Sequence, residues 1–175
     1  MANDVIVRGR YKLFTIIPTV QATPDYAAGD VLFAPTEIPN LFTSEGSSCA
    51  IKSITIIDKQ IVSTHDFTLY FTYSSTALGS INATADVSIG TLEEIQATIP
   101  IVNGDWIAGG GAGSVDNANV CTITNPAVDG IGAVLQGSNW AGSGKSEGIH
   151  VVGIAGETMN VASTSDLIIK IGVEY

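Results

Sequence analysis

The chain has 175 residues, 45% hydrophobic and only 14% charged, with a formal net charge of −10. That balance argues against intrinsic disorder, which needs low hydrophobicity and high charge. It also disfavours nucleic-acid binding, because neutralising phosphates takes Lys and Arg. The length suits one domain. No run approaches the ~18 apolar residues of a membrane-spanning helix, so no membrane partner is expected.

The chain opens on its cations. Arg8, Arg10 and Lys12 stand against Asp4 alone, a net +2 in residues 1–12 that leaves −12 on the other 163. A basic arm on an acidic body is a docking device for an acidic neighbour, including a copy of the same chain. The plainer alternative is an ordinary first strand with solvated charges. These residues show no charged segment followed by an apolar stretch, so no signal peptide is expected. Lys12 to Ile17 reads as a strand, and Pro18 marks it as an edge strand or a bulge, since proline cannot donate to a ladder. Val31 to Phe33 and the β-branched run Cys49 to Ile57 read as the next strands. Turn residues at Ala28-Gly29-Asp30, Asn40, Ser44-Glu45-Gly46, Ile57-Asp58-Lys59 and, later, Asp129-Gly130 separate the strands.

Phe67, Leu69 and Phe71 alternate with Thr68, Tyr70 and Thr72, the pattern of a half-buried strand. Ala83 to Ala97 is the one helical candidate, at most a short turn, with Asp86 as its cap and Ile89, Leu92 and Ile95 facing inward. Two glycine-rich stretches, Gly104 to Gly113 and Gln136 to Gly144, read as surface loops holding Trp106 and Trp140. Val120 to Thr124, Ile131 to Leu135 and Gly148 to Ile154 read as further strands. In the last, Asp166 to Glu174, Leu167, Ile169, Ile171 and Val173 share one face. Many short strands at regular spacing predict an all-β sandwich or barrel.

No catalytic site, cofactor site or metal site is legible. The Gly109 to Gly113 run lacks the following helix and the lysine of a phosphate cradle. His65-Asp66 and His150 have no activated nucleophile beside them. His65 is expected to open the Phe67 strand and His150 to lie on the polar face of its own. Carboxylates are scattered singly, with only Glu93-Glu94 adjacent; a calcium site in a loop, using for example Asp105 or Asp116, is the alternative to solvated charge. Asn82-Ala83-Thr84 fits a glycosylation sequon that has no secretory route to serve it. Cys49 and Cys121 are expected reduced and buried, with a disulfide between them as the alternative. Trp106 and Trp140 are contact candidates, because tryptophans in loops anchor partners; the alternative is that each covers an end of the core.

Several stretches together resemble a group of bacteriophage virion proteins: Ile17 to Val20, Thr23 to Phe33 (TPDYAAGDVLF), Cys49 to Lys59, Phe67 to Phe71 and Ser163 to Val173 (STSDLIIKIGV). The resemblance implies an antiparallel, jelly-roll-like β-sandwich of about 8–10 strands with at most one short helix. Residues 1–12 would form a basic arm or first strand and residues 13–175 a single sandwich domain. It implies a capsid decoration or cement protein, made in the bacterial cytoplasm, that acts at the capsid surface of the virion without chemistry. Its partners would be the major capsid protein and sister subunits, as a homotrimer. The residues themselves offer Arg8, Arg10, Lys12, Trp106 and Trp140 as contact candidates, the two tryptophan loops being particular to this chain. A carbohydrate- or receptor-binding fibre domain, a sandwich-fold glycan hydrolase and a tail or neck structural protein are the alternatives.

Overall fold

A computed structural model describes residues 10–42, 47–59, 65–108, 118–124, 132–137, 148–161 and 163–175. Among them ten strands form two antiparallel sheets. The first holds β1 (Tyr11–Ile16), β3 (Ser48–Asp58), β6 (Trp106–Ala108), β7 (Asn119–Ile123), β8 (Val134–Gln136) and β10 (Leu167–Glu174). Its order is β1-β10-β3-β7-β6, with β8 pairing on β3. The second holds β2 (Val31–Glu37), β4 (Phe67–Thr72), β5 (Ile95–Ile101) and β9 (His150–Ala155) in the order β2-β9-β4-β5. From β1 to β4 the chain changes sheet at every step. It returns from β5 to β6 and β7, then crosses again to β9 and to β10. That winding, with first and last strands paired, is jelly-roll-like.

The alternation read in the sequence sets which side of each strand is buried. Leu167, Ile169, Ile171 and Val173 of β10 and Ile51, Ile54 and Ile56 of β3 meet Phe67, Leu69 and Phe71 of β4 and Ala97, Ile99 and Ile101 of β5 in one core. Burying each such aliphatic or aromatic side chain contributes roughly 1.5–3 kcal/mol. Gly153 of β9 lets β2 close over this core: a Cβ there would lie 2.5 Å from the Phe33 ring. β1 is an edge strand, and Pro18 follows its end. β5 is the other sheet's edge, which accommodates Pro100 within a strand.

The expectation of at most one short helical turn holds, but its cap and its inward-facing residues are corrected. Only Ile89–Leu92 is helical (α1); Ser88, not Asp86, caps it through its side chain, and Ile95 begins β5. Ile89 and Leu92 are 78% and 54% exposed, and Thr91 is the buried residue of α1. Alternation over Ala97, Ile99 and Ile101, each buried against the facing sheet, overrides the helical spacing. The connection 73–94 covers the outer face of the second sheet. There Leu78, Ala85 and Val87 pack with Tyr70, Val152 and Ile154 in a second small core.

Candidate functional site

The sequence candidates divide. Arg8 and Trp140 lie outside the described residues, as does Asp116. Arg10 is exposed just before β1, and its carbonyl accepts the backbone N–H of Tyr175. Lys12 lies within β1, and its Nζ stands 5.0 Å from the centre of the Tyr175 ring. The cation is thus laid on its own chain, in a contact of about 0.5–1 kcal/mol at an exposed site, weak enough for a partner to displace.

Trp106 is not a loop contact residue. It starts β6, is 9% exposed and belongs to the main core. Its indole N–H donates to the His65 carbonyl at 2.9 Å, and its ring lies 6.3 Å from that of Phe67, tilted by 52°. A ring only 9% exposed offers no open face on which a sugar could stack, so the carbohydrate reading loses one of its two anchors. Asp105, weighed as a calcium ligand, accepts from the Val102 backbone N–H at 3.4 Å, and no metal-holding cluster occurs among the described residues.

The histidines are both buried. His65 precedes β4 as expected, but is 3% exposed, with Nε2 3.6 Å from Asp58 and Nδ1 3.9 Å from Glu157. Burial holds its pKa below the usual imidazole value, against the opposing pull of the Glu157 and Asp66 carboxylates. Glu157 also accepts the Asp66 backbone N–H, and Asp66 accepts that of Asn103. This knot, beside a small cavity lined by Val20, Phe67, Met159 and Leu167, ties β3, β4 and β6 together at one end of the sandwich. His150, expected on a polar face, is 5% exposed between Glu37 and Thr72 in the ladder; its Nδ1 has no hydrogen-bond partner. Burial lowers its pKa too, with Glu37 opposing. The correction has a cause: the outer face of this sheet is itself covered, and Thr72, assigned to the polar side, is 1% exposed for the same reason. Cys49 and Cys121 are buried and form no disulfide, and burial pushes the Cys49 thiol up to about 11.

Among the described residues, one surface open to a partner is the outer side of the first sheet with its β1 edge. Tyr11, Leu13 and Ile17 are 56%, 58% and 55% exposed along that edge. The register then carries an apolar row across the sheet: Ile107 pairs Val120, Val120 pairs Ile57, and Ile57 pairs Ile168. Ile17 follows Ile16, whose pairing with Ile169 ends the β1–β10 ladder beside this row. The next row is Thr122, Thr55, Lys170 and Thr15. Farther on, Tyr11 reaches over Gly172 to hydrogen-bond Ser53 at 2.8 Å, and Lys52 pairs Glu174 at 2.8 Å. Ile107 and Ile17 are exposed and Val120, Ile57 and Ile168 half-buried between them; apolar surface of this kind marks interaction sites. The sequence signal was there, in Ile57 and Ile168 at positions out of phase with the core. No protein-family model matches this chain, and no curated protein matches it.

Proposed function

We propose that this chain is a structural protein of a phage particle, which decorates or cements the capsid by binding the major capsid protein and sister subunits. The observation that carries the reading is the free edge of β1. Among the described residues β1 pairs only with β10, so its other side offers unpaired N–H and C=O groups beside exposed Tyr11 and Leu13. Natural sheets usually blunt such an edge, and an open one is a template for strand addition. Arg10 and Lys12 add positive charge there, for acidic capsid or sister-subunit surface. The rigid two-sheet body and the resemblance to virion proteins support the same reading, and such a role needs no active site.

The experiment is retention on particles. Removing residues 2–10 stops short of β1 and takes away Arg8 and Arg10, while Lys12→Glu reverses the charge within the strand. Both are expected to lower occupancy on purified particles, most at low salt, where the lost charge attraction is least screened. Full occupancy with both changes combined would rule the reading out.

A further inference from the structure

We infer that copies of this chain associate head to tail, the outer face of the six-stranded sheet of one copy receiving the α1 knob of the next. The inference rests on the reading of the chain as an assembling surface protein and names the sister-subunit contact. Two exposed apolar surfaces lie on different parts of the fold. One is formed by Ile17 and Ile107 at the ends of the row, with Leu13 and Tyr11 beside Ile17; the other is Ile89 and Leu92 on α1. Thr91 is the residue that α1 buries, so its two large apolar side chains are left pointing outward.

Charge decides how these surfaces combine. Among the described residues on the outer face of the first sheet Lys52 pairs with Glu174, which leaves Lys170, with Arg10 at the margin. The connection 73–94, from which α1 projects, carries Asp86, Glu93 and Glu94 and no cation. Sheet face against sheet face would set Lys170 against its own copy, and knob against knob would oppose carboxylates. Only face on knob brings opposite charges together, and like-charge juxtaposition is what suppresses wrong pairings. Such a contact is heterologous, so it builds a ring if the rotation closes and a chain if it does not.

Sedimentation velocity of the full chain tests this, with Leu13→Glu spoiling the face and Ile89→Glu spoiling the knob. Both positions are exposed, and circular dichroism checks that each variant is folded. The wild type is expected to associate as concentration rises, and each variant alone to stay monomeric. Each variant keeps one intact surface, so an equimolar mixture is expected to form a two-chain species and nothing larger. Lys170→Glu or Glu93→Lys alone should weaken association about tenfold, roughly 1.4 kcal/mol, and the double exchange should restore it. A wild type that stays monomeric to roughly millimolar concentration, the weak end of specific binding, would overturn the inference. So would a mixture that stays monomeric, or a knob variant that associates like the wild type. Failure here with particle retention still sensitive to Arg10 and Lys12 would sink this contact and leave the capsid reading standing.

Discussion

Trp106 gives the sharpest test of how the sandwich end is held. Trp106→Ala removes a ring that is 9% exposed and packed on Phe67, together with the indole N–H bonded to the His65 carbonyl. Truncating a buried tryptophan typically costs about 3–5 kcal/mol, part transfer free energy and part cavity. For a domain of this length each kcal/mol lowers Tm by roughly 2–4 °C, so the expected fall is about 6–20 °C. Trp106→Phe keeps a ring against Phe67 and loses the donor. A buried acceptor deprived of its donor costs about 1–3 kcal/mol, so this variant should fall between wild type and alanine. Urea unfolding followed by circular dichroism measures both. If Trp106→Ala lies within about 0.5 kcal/mol of wild type, as a surface substitution would, the ring is not part of the core and Trp106 returns to being a contact residue.

Burial holds the folded pKa of His65 and of His150 below the ordinary 6.5, so the unfolded chain binds these protons more tightly. Stability is therefore full above about pH 6.5 and falls as pH drops toward the folded values, by at most about 1.4 kcal/mol per pH unit per histidine. Unfolding midpoints of wild type and His65→Gln from pH 7.5 to 5.5 should show a shallower slope in the variant; equal slopes would show that His65 takes up no extra proton on unfolding. Buried Cys49, with its thiol at about 11, should react with a thiol reagent only after unfolding, and Cys121 with it. Rapid modification of native protein, or only one thiol found in denaturant, would contradict this. Gly153→Ala would drive a Cβ into the Phe33 ring and should cost about 1–3 kcal/mol in denaturant unfolding, whereas a neutral result would show that β2 can retreat.

The fold was legible wherever one face of a strand is buried and the other is not. Leu167 to Val173 and Phe67 to Phe71 announce their buried sides by alternation alone, because side chains in a strand point to opposite faces in turn. β5 was misread because Leu92 and Ile95, three apart, imitate a helical face; the decisive alternation begins two residues later at Ala97. β6 was hidden in a glycine-rich stretch, and with it the burial of Trp106, which depends on Phe67 and His65, each about forty positions away. The burial of His150 and Thr72 was equally out of reach. It arises from a loop folding over the outside of a sheet, which no periodicity within β4 or β9 encodes. The candidate surface was half legible: Arg10 and Lys12 stand out by charge, but the apolar row exists only once the register lines up Ile107, Val120, Ile57 and Ile168.

The central claim is that this jelly-roll-like module sits on a capsid through the β1 edge. A reconstruction of the native particle by electron cryomicroscopy tests that most directly. The account predicts density for the two-sheet body on the outer capsid surface, with Tyr11 to Ile16 at the contact. Density in the tail alone, or a body on the shell with the β1 edge facing solvent, would contradict it.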